Sequence, residues 1–339
     1  MSALAGSGTD RQVALEVRNL SVEFEILGGT IRPVDDVSLQ IFDGDIFALV
    51  GESGCGKSTL ATALIRLVPE PGRIVSGDVL LRGSSLQAMN TESLRRIRAA
   101  GVALVLQAAM GSFNPVITIE KQVEHVLEAH PEVWKSRRKG LEYFDYLLDL
   151  VRLPTDRIRK SYESQLSGGM RQRVAIAFGL LLKPDLVILD EPTTALDVIN
   201  QGIVIEVLKD LQAELGVTIV FVTHDLAVVA ELASRVGVMY AGRLVQSGSV
   251  DDVFYGDRRH PYVRALLTSI PNVQVAGRAA KAIAGSVPRL DDLPRGCRFA
   301  PRCPVAEAAC HTDDPELILA ADNAVACHPL NRRLEVVGR

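Results

Sequence analysis

Residues 51–58 read Gly51-Glu52-Ser53-Gly54-Cys55-Gly56-Lys57-Ser58, a complete G-x-x-x-x-G-K-S loop followed by Thr59. Its surroundings make it constraining. The five residues before it, Ile46-Phe47-Ala48-Leu49-Val50, are all apolar and predict a strand buried on both faces. After it, Leu60, Leu64 and Leu67 recur at helical spacing. A chance glycine turn lacks these flanks, and strand, glycine loop, helix is the order the motif requires. In that setting bare backbone N–H groups curl round phosphate, aided by the partial positive charge of a helix N-terminus. Lys57 would reach the β- and γ-phosphates and the Ser58 hydroxyl would hold Mg²⁺. The loop from Gly51 through Ser53, Gly54, Cys55 and Gly56 to Thr59 therefore predicts binding of a nucleoside triphosphate.

Composition limits what else the chain can be. With 339 residues there is room for one large domain plus an appendage, or for two domains. An apolar share of 47% against 23% charged residues fits an ordinary folded globule. A formal net charge of -4 gives no general basic bias, so a nucleic-acid partner is not expected. The most basic stretch, Arg137-Arg138-Lys139 with Arg157, Arg159 and Lys160 beyond it, is broken by acids and by Tyr143 and Phe144, and reads as a solvated helical face. The start, Met1-Ser2-Ala3-Leu4-Ala5-Gly6, has neither the charged start nor the apolar core of a secretory signal. No apolar run approaches the ~18 residues of a spanning helix. The expectation is a soluble, cytoplasmic chain whose membrane role runs through a partner.

Residues 14–45 alternate as strands do, with Gly28-Gly29 and Asp43-Gly44 as turns, predicting a short antiparallel sheet ahead of the loop. Apolar runs at 102–106, 186–189 and 218–222 predict parallel core strands with helices between them. From about 117 to 179 no strand pattern is convincing. Leu141, Phe144, Leu147, Leu148 and Val151 recur at helical spacing, which predicts a helical insertion. Beyond Gly248 the pattern is interrupted by Pro261, Pro271, Pro288 and Pro294, and four of the five cysteines follow. A boundary is expected near Asp251.

Leu186-Val187-Ile188-Leu189-Asp190-Glu191 delivers two consecutive carboxylates at the C-terminal end of an apolar strand, where ligands sit in open parallel sheets. Asp190 would hold the Mg²⁺ hydration shell and Glu191 would orient and deprotonate the attacking water. An acidic strand-end loop alone would be unremarkable, but beside a G-x-x-x-x-G-K-S loop it gains weight. In Leu166-Ser167-Gly168-Gly169-Met170-Arg171-Gln172-Arg173, Ser167 is placed to cap a helix whose start is bared by two glycines, a second anion site without the lysine.

With these residues in view, the chain resembles an ATP-binding cassette (ABC) transporter ATPase over roughly residues 14–250. The resemblance implies a P-loop α/β fold: a RecA-like parallel core, an antiparallel β subdomain and a helical subdomain at about 110–178. It makes Leu166-Ser167-Gly168-Gly169 the signature motif and Ala195-Leu196-Asp197 the dimer-contacting loop. Gln107 would contact Mg²⁺ and the membrane subunit, His224 the γ-phosphate, and Phe24 the adenine. Two cassettes of this family dimerise head to tail, each ATP lying between one P-loop and the other's signature helix. Every residue this requires is in place, which implies a competent ATPase.

The end of the chain narrows the resemblance. His260-Pro261-Tyr262-Val263-Arg264-Ala265-Leu266-Leu267 is similar to the start of a C-terminal region in the oligopeptide, dipeptide and nickel branch of ABC importers, and Asn114-Pro115-Val116 is also typical of that branch. Ala108-Ala109-Met110-Gly111-Ser112 departs from the more polar segment usual after Gln107. Cys297, Cys303, Cys310 and Cys327 follow the spacing C-x5-C-x6-C-x16-C. A cytosolic chain keeps no disulfides, so the cluster points to metal or to nothing. The short C-x2–4-C pairs of zinc sites are absent. Uneven spacing with Pro304 after a cysteine suits a [4Fe–4S] cluster, which related importer ATPases are thought to carry. The order of readings is iron–sulfur cluster, unligated buried thiols, then zinc; Cys55 is loop filler.

The resemblance thus implies an importer ATPase for oligopeptides or dipeptides using ATP and Mg²⁺. It would sit on the cytoplasmic face of the inner membrane with two permease chains, an extracytoplasmic binding protein and a second cassette, a related chain or another copy. Rival readings are an importer of nickel, oligosaccharide or another solute, a soluble ABC ATPase of DNA repair or translation, an exporter, and a module in which nucleotide regulates a metal-bound tail. Soluble members usually add coiled coils or a second cassette, and exporters commonly fuse membrane spans; neither is seen.

Overall fold

The computed structural model describes residues 11–106, 113–269 and 282–337. Gln107, the Ala108–Ser112 departure and Pro271 lie outside them. The chain divides into two compact units. One comprises the described residues up to Ile41, Phe47–Ser84 and those from Thr223 onward; the other comprises Phe42–Ile46 and Ser85–Val222.

In the first unit, β1 (Val13–Ile26) and β2 (Gly29–Phe42) form the expected hairpin, turning at Leu27-Gly28. β4 (Gly72–Leu81) joins on the other side of β1, antiparallel, with β5 (Ser84–Ser85) beyond, giving the order β2-β1-β4-β5. Leu15, Val17, Val22 and Val79 are fully buried on this sheet. β3 (Ile46–Val50) is buried at every position, and it pairs in parallel with β9 (Arg235–Tyr240), Phe47 opposite Arg235 and Val50 opposite Val238. β10 (Arg243–Ser249), β12 (Asn323–Val325) and β11 (Ile318–Ala320) continue outward from β9, all antiparallel. Residues beyond Asp251 thus extend a sheet begun before it.

The helix opened by the glycine loop covers Lys57–Ala63. Leu60 and Leu64 are buried as the spacing predicts, but Leu67 is 45% exposed. The chain has already left the helix through Arg66, whose φ is 53°, on its way to Pro69 and Pro71, which cannot continue one.

The second unit holds the parallel strands β6 (Val102–Val105), β7 (Leu186–Asp190) and β8 (Thr218–Thr223), with β7 central and Asp190 opposite Val222. Between β6 and β7 the described chain is helical, as the sequence pattern predicts: Ile119–Ala129, Arg137–Leu150, Thr155–Lys160 and Gly168–Leu180. Three of these begin at side-chain caps, Thr118, Ser136 and Ser167, which satisfy otherwise orphaned N–H groups. Phe144, Leu147, Leu148 and Val151 are fully buried on the face their spacing defines, with Leu141 at its half-buried margin. Phe144→Ala should destabilise this unit by about 3–5 kcal/mol, read as a shift in denaturant midpoint; an unchanged midpoint would mean the helical face packs elsewhere.

Candidate nucleotide site

β3 ends at Val50 and the loop begins at once. Gly54 and Gly56 take φ of 78° and 106°, a region that costs any residue with a Cβ. At Gly56 there is no space either, since a Cβ would stand 1.7 Å from the Pro33 carbonyl oxygen. The Gly242 N–H donates to the Cys55 carbonyl at 2.9 Å, and the Asp35 N–H donates to the Gly242 carbonyl at 2.9 Å. The loop is thereby tied to the β2 segment and to the turn between β9 and β10. Gly56 caps the helix, and Lys57, the first helical residue, is buried. Its Nζ donates to the carbonyls of Gly51 at 2.8 Å and Glu52 at 3.0 Å. Burial pushes the Cys55 thiol up despite the neighbouring ammonium, so it stays protonated and inert.

Two further expected residues belong to this unit. Phe24 pairs across the sheet with Gly72, whose missing side chain leaves room for the ring: a Cβ there would stand 2.5 Å from Phe24 Cζ. His224 directly follows β8 and is exposed.

The second unit carries the acidic pair. Asp190 ends β7, 5% exposed. Glu191 takes a left-handed φ of 49°, a strained conformation worth roughly 1–2 kcal/mol for a non-glycine residue. It is held there by its N–H donating to the Val222 carbonyl at 2.9 Å and by the Thr194 hydroxyl donating to its carboxylate at 2.7 Å. Thr194 was not legible as a partner beforehand. Ala195 is also left-handed at 64°, and Asp197 then caps the helix Val198–Leu215, accepting from the N–H of Asn200 at 2.9 Å and its side-chain amide at 2.7 Å. These bonds hold the Asp197 carboxyl below its ordinary range.

Ser167 caps the helix Gly168–Leu180, its hydroxyl accepting the Met170 N–H at 3.3 Å. Asn200 presses on this helix start, so that a Cβ at Gly169 would meet its Oδ1 at 2.4 Å. The loop ending at Asp197 and the Ser-Gly-Gly turn are therefore neighbours. Arg173, buried, anchors the same helix by donating to the carbonyls of Gly169, Val151 and Arg152 at 3.2, 3.1 and 2.9 Å.

Cys297, Cys303, Cys310 and Cys327 line one small cavity with His260, Phe299 and Pro329, and none is in a disulfide. Four thiols on one cavity is the donor set a cubane cluster takes. Among the described residues, however, no group of three or more His, Cys, Asp or Glu side chains is disposed to hold a metal ion. Burial pushes Cys297 and Cys327 up to about 11, so both are thiols at neutral pH. The donor set is that of a cluster, while the four side chains as placed do not themselves form a metal site.

The glycine loop of the first unit, and the acidic strand end and capped Ser-Gly-Gly helix of the second, are each elements that a P-loop cassette carries. A family model described as "ABC transporter" matches residues 34–194, and one described as "Oligopeptide/dipeptide transporter, C-terminal region" matches 245–310. The chain is 43% identical to a dipeptide transport ATP-binding protein of Caldanaerobacter subterraneus over 317 residues, 93% of this chain and 97% of that one. It is 38% identical to the dipeptide transport ATP-binding protein of Bacillus subtilis over 326 residues, 95% and 96% of the two chains. The dimeric structure of MJ0796, a bacterial ABC transporter cassette, matches with a TM-score of 0.60 at 28% identity, covering 70% of this chain and 98% of that one. CbiO1 of Clostridium perfringens matches with a TM-score of 0.61 at 26% identity, covering 71% and 90%. The chain belongs to the ABC transporter ATP-binding proteins, in the branch with the oligopeptide/dipeptide C-terminal region. It is an ATPase of that family. Among the described residues no helix is long and apolar enough to cross a membrane.

His260, at the start of the helix Pro261–Ser269, is fully buried and accepts the Tyr262 N–H at Nδ1, 3.1 Å away. Burial pushes its pKa down from 6.5 to about 3. The unfolded chain therefore takes up a proton that the folded chain refuses. This contribution is complete above about pH 6.5 and is lost as pH falls towards about 3. Between pH 7.5 and 5 the wild type should lose about 2 kcal/mol more stability than His260→Gln, measured by denaturant unfolding; parallel losses would show that His260 is not neutral in the fold.

Proposed function

We propose that this chain is the ATP-hydrolysing subunit of an importer for dipeptides or oligopeptides. The observation that carries the reading is similarity to dipeptide transport ATP-binding proteins across both the cassette and the appendage, with the nucleotide-site residues intact. In this reading residues 14–250 form the cassette and 251–339 the importer-type extension. The P-loop from Gly51 to Thr59 binds ATP, and Lys57 exchanges its two loop carbonyls for phosphate oxygens. Ser58, Asp190 and Gln107 would hold Mg²⁺, which would supply charge neutralisation at the phosphates. Phe24 stacks on adenine, and Glu191 takes a proton from the attacking water while His224 contacts the γ-phosphate. Ser167, Gly168 and Gly169 serve the nucleotide of a second cassette, a homologous chain or another copy, in a head-to-tail dimer. Two permease subunits and an extracytoplasmic binding protein complete the assembly, with this chain peripheral on the cytoplasmic face of the inner membrane.

The strained, doubly held Glu191 supports its part in this scheme, since such conformations cluster at working sites. Glu191→Gln should lower ATP turnover at least about a hundredfold while MgATP binding persists; undiminished hydrolysis would remove Glu191 from the role. Cargo is tested in proteoliposomes carrying the neighbouring permeases, where peptide-loaded binding protein should stimulate hydrolysis. Stimulation by nickel or oligosaccharide instead would overturn the peptide reading.

That the four cysteines line one cavity supports a finer reading, in which Cys297, Cys303, Cys310 and Cys327 would hold a [4Fe–4S] cluster as thiolates. Anaerobically prepared protein should then be brown and contain iron and acid-labile sulfide in equal amounts. A colourless, iron-free protein with unchanged stability would overturn the cluster.

A further inference from the structure

One contact between the appendage and the P-loop is unused by the chemistry above. Arg302, from the cysteine-bearing segment, donates from both terminal nitrogens to the two carboxylate oxygens of Glu52, at 2.8 and 3.1 Å. This is the bidentate geometry in which an arginine fixes both the position and the orientation of a carboxylate. The Arg302 side chain is 4% exposed. Its Nε donates to the Ala284 carbonyl at 2.9 Å, and one terminal nitrogen also donates to the Tyr240 hydroxyl at 3.2 Å. The guanidinium lies 5.8 Å from the Tyr240 ring centre and 6.0 Å from that of Phe299, within cation–π range. The bond to Glu52 raises the arginine pKa further, so the cation persists at every working pH.

Glu52 is the second residue of the loop, and the appendage holds it at another point as well. Its N–H donates to the Tyr262 hydroxyl at 2.9 Å. Tyr262 is fully buried and packs against Tyr240 and Phe299, with ring centres 4.6 and 5.3 Å away. The carbonyl of the same Glu52 accepts from Lys57 at 3.0 Å and from the Cys55 N–H at 3.3 Å. The residue that carries the resting place of Lys57 is thus clamped by side chain and N–H to residues lying beyond the cassette. A buried arginine is costly unless paired with good geometry, and an apolar side chain would fill the space more cheaply. The arrangement therefore does more than fill space: it fixes Glu52.

We infer that Arg302 and Tyr262 are positioning residues for nucleotide binding, acting through Glu52 so that the appendage sets the affinity of the P-loop for ATP. This rests on the nucleotide reading proposed above. Loss of the clamp frees the first half of the loop, and ordering it again on binding weakens affinity. It leaves the hydrolytic groups of the second unit untouched, so turnover at saturating ATP is preserved.

The test is equilibrium binding of a fluorescent ATP analogue, with ATP as competitor, to the purified full chain and to Arg302→Ala, Arg302→Lys, Glu52→Gln and the double variant Glu52→Gln/Arg302→Ala. Thermal unfolding and binding stoichiometry are recorded in parallel. Arg302→Ala should weaken ATP binding by about tenfold with kcat within about twofold of wild type, and Glu52→Gln should weaken binding to a similar degree. Arg302→Lys should recover part of the loss, and the double variant should bind no more weakly than either single one, because both break the same contact. A purely structural role would lower stability and the binding-competent fraction while leaving the affinity of that fraction unchanged. Should Arg302→Ala fail to fold, Arg302→Lys and Glu52→Gln carry the test. Wild-type affinity in these folded variants, or losses that simply add in the double variant, overturns the inference alone; a wild type that binds no ATP overturns the nucleotide reading with it.

Discussion

The fold around the nucleotide loop depends on a contact that admits no side chain. With a Cβ at Gly56 standing 1.7 Å from the Pro33 carbonyl, only glycine lets the loop meet the β2 segment. From that contact the rest of the local structure follows. β3, buried at all five positions, delivers the chain to the loop, and Gly56 in its left-handed conformation starts the helix that follows. The hydrogen bonds from Gly242 to Cys55 and from Asp35 to Gly242 tie the loop to the turn between β9 and β10 and, through it, to β2. The bare N–H groups a phosphate needs are thus held in place before any ligand arrives, which lowers the ordering cost of binding.

The appendage reinforces this frame and is not an independent tail. β12 pairs with β10, and Gln246, fully buried, donates to Asn323 and Arg258 while accepting the His260 N–H. Arg298, beside Cys297, pairs with Asp35 of β2 and donates to the Ala241 carbonyl. Burial pulls its pKa down, with Asp35 opposing that pull. Buried ion pairs of this kind are worth little as net stability, but removing one partner leaves a buried charge uncompensated. They therefore fix geometry, here the placement of the cysteine-bearing segment against the sheet that carries the P-loop.

Much of this was legible in the sequence where periodicity and short-range chemistry agree. The hairpin over 14–45, the parallel strands and the helical run through Phe144 and Leu148 all follow from apolar spacing, and Ser167 from cap chemistry, whereas the cap at Asp197 emerged only in the structure. Leu67 was misplaced on the helix because spacing alone does not register the turn at Arg66. β9 to β12 were missed because these strands are short or carry charged and small residues, as in Arg243 to Ser249, and owe their form to long-range pairing. The glycine loop, the acidic strand end and the Ser-Gly-Gly turn were readable as motifs, whereas Thr194, Tyr262 and Arg302 act through partners distant in sequence or at unremarkable turn positions. One signal did exist for Arg302: an arginine set between cysteines and beside Phe299 needs an acid if it is buried, and Glu52 is the single acid of residues 51–59.

The most direct measurement is calorimetric titration of the purified chain with MgATP, beside the same titration of Lys57→Ala. Saturable binding by the wild type, abolished in Lys57→Ala while thermal unfolding in the absence of nucleotide is unchanged, is the result expected if residues 51–59 are the phosphate site. Equal binding by both proteins would place the nucleotide elsewhere and contradict the account at its root.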